Sequence, residues 1–189
     1  MHTVVLDLNG LLLDRRSRPL PGRPADMVLA RTHVYIRPYA RGFLRWLLQT
    51  FRVGVWSSAA PHNAEPMVDL LFGQARHKLR FVWNQSHCKP LCQLDGPRPV
   101  LSKPIESLFE AFPDMERTRT LLIDDSEQKA SLNPAHTSIH PLTWSVAEAP
   151  DDDFLAPGGE LREWLMAMNG IHDVPTFVSS CGYAVRVSS

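Results

Sequence analysis

Four short stretches of this chain carry groups suited to moving phosphate, and each ends or adjoins an apolar run. Asp7 follows Val4-Val5-Leu6 and precedes a turn at Gly10; Ser57 and Ser58 close FRVGVW; Asp124 and Asp125 close RTLLI; Lys103 begins the segment before that last run. An apolar run ended by a polar residue reads as a buried strand. In a parallel sheet such ends share one edge, where ligands of open α/β folds bind. Carboxylates offer hard oxygen ligands to Mg2+, while hydroxyl, ammonium and backbone N–H groups neutralise phosphate oxygens. The set suits Mg2+-assisted phosphoryl transfer. Each member has a plainer role when taken singly. An Asp after a strand is a turn residue or cap, Ser57-Ser58 and Asp124-Asp125-Ser126 make good helix caps, and Lys103 reads as a solvated lysine. Their order, each at a strand end or helix start, favours the joint role.

The elements that must position these groups alternate between strand-like and helix-like, which predicts an α/β fold with a mostly parallel central sheet. Strands are expected over 3–7, 33–38, 51–58, 78–84 and 119–125, and helices over about 38–49, 61–72, 104–112 and 158–168. Pro38 suits the first turn of its helix, and Tyr39, Phe43 and Leu47, with Leu44 and Leu48 beside them, form a core-facing stripe. Residues 15–31, rich in Arg and Pro, read as a loop or small excursion, and 84–102, with three prolines and no periodicity, as an irregular insertion. The domain is expected over 1–170, with a tail over 171–189; the stretch from 174 shows no assignable periodicity and reads as a docking arm or a loose end.

Composition narrows the function classes. The 189 residues include twenty Lys and Arg against twenty Asp and Glu, so no net field favours direct binding to nucleic acid or to an anionic membrane. No apolar run approaches the roughly 20 residues of a membrane span. Strand-like sequence from about residue 3 leaves no cleavable leader if the chain starts at Met1. Cys88 and Cys92, with His62, His77 and His87, raise the question of zinc, but C-x3-C with no second ligand pair at a standard interval fits reduced thiols better. A monomeric nuclear or cytoplasmic protein is the expectation.

The stretches VVLDLNGLLLD, FRVGVWSSA, LSKPIESLF and TLLIDDSEQKASLNP resemble the four ordered motifs of the haloacid dehalogenase superfamily. More narrowly they are similar to the family of RNA polymerase II C-terminal-domain phosphatases and NLI-interacting-factor-like proteins. YIRPYARGFLRWL and NPAHTSIHPLTW resemble further parts of that family, so the likeness runs over about residues 3–168. It implies a Rossmann-like three-layer fold without a large cap, and an open cleft that favours a macromolecular, phosphoprotein substrate. It also implies roles. Asp7 is the nucleophile and a Mg2+ ligand, the main-chain carbonyl of Asn9 a second ligand and Asp125 a third, with Asp124 beside it orienting the site. Ser57, helped by Ser58, binds phosphoryl oxygens, and Lys103 balances charge on Asp7 and phosphate.

The chain departs from the family at Asn9, where the pattern has a second aspartate that protonates the leaving oxygen. An amide is nearly the same size and keeps the carbonyl ligand, yet it has no proton to give. Losing that step is expected to cost about 10²–10⁴-fold in rate, or about 3–5 kcal/mol of barrier. A serine alkoxide needs the proton far more than a phenolate does. Asp14, His33 and His62 are the candidates to replace it, each with a plainer structural or solvated role. Beside the phosphatase reading stands a second, in which the fold and its pocket serve as a protein-binding module, as in a non-catalytic mitochondrial import-channel subunit of this family. A small-molecule phosphatase is the third and weakest reading.

Overall fold

The computed structural model describes residues 1–91 and 100–181. In chain order, β1 (Thr3–Leu6), β2 (Leu13–Arg16), β3 (Met27–Leu29) and β4 (Thr32–Ile36) lead into α1 (Ala40–Thr50). Next come β5 (Arg52–Trp56), α2 (Pro61–Phe72), β6 (Val82–Trp83), β7 (Lys89–Pro90), β8 (Leu101–Ser102) and α3 (Glu106–Ala111). β9 (Thr120–Ile123), β10 (Ser138–Ile139), α4 (Glu160–Met168) and α5 (Val174–Cys181) follow.

Five strands form a parallel sheet in the order β10-β9-β1-β5-β6. Its strands are apolar at successive positions because both faces are covered. Val4 and Leu6 of β1 point into the larger core with side chains of α1, α2, α4 and α5. Val5 points the other way, packing with Trp56, Leu122 and the Leu108 and Phe109 side chains of α3. The result is a three-layer α/β/α arrangement with β1 in the middle. Leu6 lies opposite Val55 on one side and Ile123 on the other, so Asp7, Ser57 and Asp124 emerge at one edge.

Several expectations change. The segment expected as a loop or small excursion over 15–31 holds the end of β2 and all of β3, which with β4 make a three-stranded antiparallel sheet in the order β2-β4-β3. β4 is the strand expected over 33–38, whereas β2 and β3, of four and three residues, are too short, and too half-buried, for a period of two to show. Tyr39 does not start the core stripe of α1; it is 55% exposed. It precedes the helix in the left-handed region, with φ 62°, so the helical period does not include it. Within the expected strand over 78–84 only Val82 and Trp83 form the ladder, after a 3-10 turn over Gly73–Lys78. The stretch from 174 begins with α5, whose Val174, Phe177 and Val178 join the larger core. Of the insertion, the short β7–β8 pair is described, while Cys92 lies outside the described residues.

Candidate active site

Asp7 is delivered by the central strand and is 1% exposed. Its backbone N–H still donates to the Ile123 carbonyl at 2.9 Å, so the strand pairing holds up to the carboxylate itself. Asp124, at the end of β9, stands beside it and is fully buried. Lys103 joins the two: its Nζ donates to Asp7 Oδ1 at 2.8 Å and to Asp124 Oδ2 at 2.5 Å. The Lys103 side chain is 0% exposed, and a buried ammonium is tolerable only with such partners. Its backbone is pinned as well. The Lys103 N–H donates to the Lys129 carbonyl at 2.7 Å, and Asn133 Nδ2 donates to the Lys103 carbonyl at 3.0 Å.

Sequence reasoning missed a second cation. Lys129 sits in the 3-10 turn over Glu127–Ala130, which folds back across the end of β9. Its Nζ lies 2.9 Å from Asp7 Oδ2, 3.0 Å from Asp124 Oδ1 and 3.6 Å from Asp125 Oδ1. Burial works to lower the Lys129 pKa, but the Asp7 and Asp124 carboxylates outweigh it and raise the value. Burial pushes Asp124 up, and the Lys103 and Lys129 ammoniums outweigh that in turn, holding the carboxyl below its ordinary range. The available signal was a lysine four and five residues after two carboxylates, but no apolar run aims it.

Asp125 has a different environment. Its Oδ2 accepts from the Thr143 hydroxyl at 2.7 Å, whereas Oδ1 is buried without a hydrogen-bond partner. Burial dominates and pushes the carboxyl up to about 6, with Thr143 and Lys129 opposing. Gly10, at φ 81°, makes room for it, because a Cβ there would overlap Asp125 Oδ2. One oxygen from each of Asp7, Asp124 and Asp125 lies within 4.8 Å of the others. An orphaned buried carboxylate oxygen facing two further carboxylates fits a hard divalent cation.

Ser57 is 3% exposed at the end of β5, and its hydroxyl accepts from the Ala59 N–H at 3.1 Å. Among the described residues neither Ser57 nor the half-buried Ser58 hydrogen-bonds the carboxylates. Asn9 is exposed, on a turn held by the Gly10 N–H donating to the Leu13 carbonyl at 2.8 Å. Of the replacement acids, Asp14 is committed elsewhere: its Oδ2 accepts from Val146 N–H at 3.1 Å and from Arg16 at 3.3 Å. His62 is exposed on α2, and His33 lies in β4, paired with Arg16 of β2. Beside the carboxylates, Thr143 also lines an open cleft of about 620 Å³ with Arg37, Trp144 and Phe154.

Fold and cluster together define a phosphatase-type domain of the haloacid dehalogenase class. The particular family follows: the profile of the NLI interacting factor-like phosphatases matches residues 2–175, and the chain belongs to that family. An uncharacterized FCP1 homology domain-containing protein of Schizosaccharomyces pombe is 29% identical over 142 residues, 69% of this chain and 57% of that protein. Nuclear envelope morphology protein 1 of the same yeast is 24% identical over 180 residues, 91% of this chain and 34% of that one. The chain thus spans only part of the length of these relatives. Among solved structures, the fission yeast RNA polymerase II CTD phosphatase Fcp1 bound to beryllium fluoride superposes with a TM-score of 0.58 at 13% identity. That match covers 89% of this chain and 50% of the other. A second Fcp1 structure gives a TM-score of 0.55 at 11% identity, covering 100% and 54%. Both share the fold.

Proposed function

We propose that the chain is a Mg2+-dependent phosphoprotein phosphatase domain that works through an aspartyl-phosphate on Asp7 and is slowed on serine and threonine esters by Asn9. The observation that carries this reading is Asp7 itself, a buried carboxylate fixed at the end of the central strand between two ammoniums. One Asp7 oxygen attacks phosphorus, and the bond from phosphorus to the ester oxygen breaks. Water then attacks the acyl-phosphate, returning inorganic phosphate and the free Asp7 carboxylate. Lys103 stabilises the charge on Asp7 and on the phosphoryl oxygens, and Ser57, with Ser58, donates to those oxygens. Asp7, Asp125 and the Asn9 carbonyl would hold the cation, with Asp124 behind them. When bound, Mg2+ supplies Lewis-acid neutralisation of phosphoryl charge.

With Asn9 in place, the departing alkoxide must take its proton from solvent. Asn9 is exposed and Asp14 is bonded elsewhere, which also supports the second reading, a binding module that keeps the pocket without efficient turnover. The open cleft beside Thr143 suits a protein segment, and a protein partner in the nucleus or cytoplasm agrees with the relative named for nuclear envelope morphology. We take the working unit to be a monomer.

Hydrolysis of p-nitrophenyl phosphate and of a phosphoserine peptide, with Mg2+, by the wild type, Asn9→Asp and Asp7→Asn tests the reading. The wild type should act slowly on the aryl ester and barely on the peptide. Asn9→Asp should raise the peptide rate by about 10²–10⁴-fold, with a smaller gain on the aryl ester. Asp7→Asn should abolish both. An ordinary phosphatase rate on the peptide by the wild type would sink the account of Asn9, and activity in Asp7→Asn would remove the nucleophile. If Asn9→Asp is also silent, the binding module is the better description.

A further inference from the structure

Lys129 lies within the fourth stretch but has no role among those the resemblance implies, yet its ammonium faces all three carboxylates of the cluster. Its ammonium bonds Asp7 Oδ2 and Asp124 Oδ1 and faces the otherwise unpartnered Asp125 Oδ1 at 3.6 Å. These are the oxygens left over by Lys103, which takes Asp7 Oδ1 and Asp124 Oδ2. A divalent cation shared by Asp7 and Asp125 would sit about 2.1 Å from an oxygen of each. It would therefore address the oxygens that the Lys129 ammonium now faces. We propose that Lys129 is a built-in counter-ion that competes with the divalent cation for Asp7 and Asp125, so that binding the metal requires its side chain to swing out.

The two lysines differ in the way this exchange needs. Lys103 is 0% exposed and cannot leave without opening the core, whereas Lys129 is 18% exposed and reaches in from the surface. Its backbone is anchored, and only the carboxylates hold its tip: the Lys129 carbonyl accepts from Lys103 N–H at 2.7 Å, and its own N–H donates to the Ser126 carbonyl at 3.1 Å. Four rotatable side-chain bonds then let the ammonium leave with the backbone in place. Charge also favours exchange over sharing. Three carboxylates against two ammoniums leave one negative charge. Replacing Lys129 by a divalent cation brings the cluster to neutrality, whereas keeping both makes it positive before any phosphate arrives. With the cation absent, Lys129 supplies the second positive charge that the three carboxylates need beside Lys103.

This inference rests on the reading of Asp7 and Asp125 as cation ligands, and the test separates the two. Mn2+ is titrated calorimetrically, without substrate, into the full chain as wild type, Lys129→Gln, Lys129→Arg and Asp125→Asn. Unfolding temperatures are taken in EDTA and in Mg2+. Lys129→Gln should bind Mn2+ at least about tenfold more tightly than wild type, since it removes a like charge from the site. It should also unfold earlier in EDTA and gain more from Mg2+ than the wild type does. Lys129→Arg should stay near the wild type, and Asp125→Asn should bind poorly. Equal or weaker binding by Lys129→Gln overturns the competition and leaves the ligands in place. No Mn2+ binding by any form overturns the ligand assignment as well. If Lys129→Gln stays unfolded even with Mg2+, the lysine is a strut that no cation replaces, and the proposal falls.

Discussion

His2 shows how one buried proton site links stability to pH. The ring is 3% exposed, and its Nε2 lies 2.7 Å from the Ile171 carbonyl, so Nε2–H is the donor. The other nitrogen, Nδ1, is buried without a partner. Adding a proton there would create a buried, unpaired N–H on a charged ring. Burial therefore lowers the His2 pKa, with the Ile171 carbonyl opposing and Arg119 adding to the fall. A depressed folded value means that the unfolded chain takes up the proton first as pH drops. The associated stability is present above about 6.5 and is lost as pH falls through the folded value. Urea denaturation of the wild type should show less stability at about pH 5.5 than at about pH 7.5, and His2→Gln should flatten that difference. An unchanged difference would place the acid sensitivity elsewhere. His2 was not legible as special from the sequence, whereas the strand-end placement of Asp7, Ser57, Asp124 and Asp125 was. Each of those four ends an apolar run, and such runs advertise where a strand stops. Lys129 and His2 owe their roles to a turn and a distant carbonyl, which leave no periodic trace.

At the scale of elements, β5 and the chain entering β6 are closely joined. Gly54 of β5 stands opposite Val5, and a Cβ on it would overlap the Phe81 ring. Phe81 in turn stacks on Phe112 at 5.0 Å between centroids, so the ring cannot simply retreat. Gly54→Ala should destabilise the fold by about 1–3 kcal/mol, the usual cost of overpacking a filled core. Phe81→Leu opens that space, so the double variant should be more stable than the sum of the single losses predicts. Denaturant midpoints of the four forms measure the coupling, and strict additivity would mean that Gly54 serves another purpose. The sequence made this region legible in direction and not in extent. The alternation over 78–84 gave an extended, half-buried segment, and backbone bonds to β5 do begin at Arg80, whose N–H donates to the Val53 carbonyl at 2.8 Å. The preceding residues turn as a 3-10 helix instead, at the sheet's edge, where among the described residues no strand lies outside β6 to impose the ladder. Beside the legible β4, β2 and β3 stayed hidden for a related reason: strands of four and three residues carry too few positions to establish a period.

For the molecule as a whole, the site and α5 hold opposite ends of one sheet. The carboxylates follow the last residues of β1 and β9. The contacts of α5 gather instead near the strands' beginnings, where it packs against the turn over Arg117–Arg119 that precedes Thr120. Phe177 of α5 meets Trp164 of α4 with centroids 5.0 Å apart, and Val174 and Val178 are buried beside it. His2, just before β1, reaches the Ile171 carbonyl just before α5, closing the same end from the other side. Burial of three such apolar side chains is worth about 3–5 kcal/mol after allowance for a compact unfolded chain. Deleting 174–189 should lower the urea-derived stability by that amount. The geometry of Asp7, Lys103, Asp124 and Asp125 depends on β1, β9 and the turn after β9, none of which the deletion touches. Mn2+ affinity of the folded, truncated protein should therefore match that of the full chain. Stability lost with affinity kept would show that α5 closes the far end of the sheet. Affinity lost at full stability would instead tie α5 to the site, against the separation that the sheet's geometry imposes.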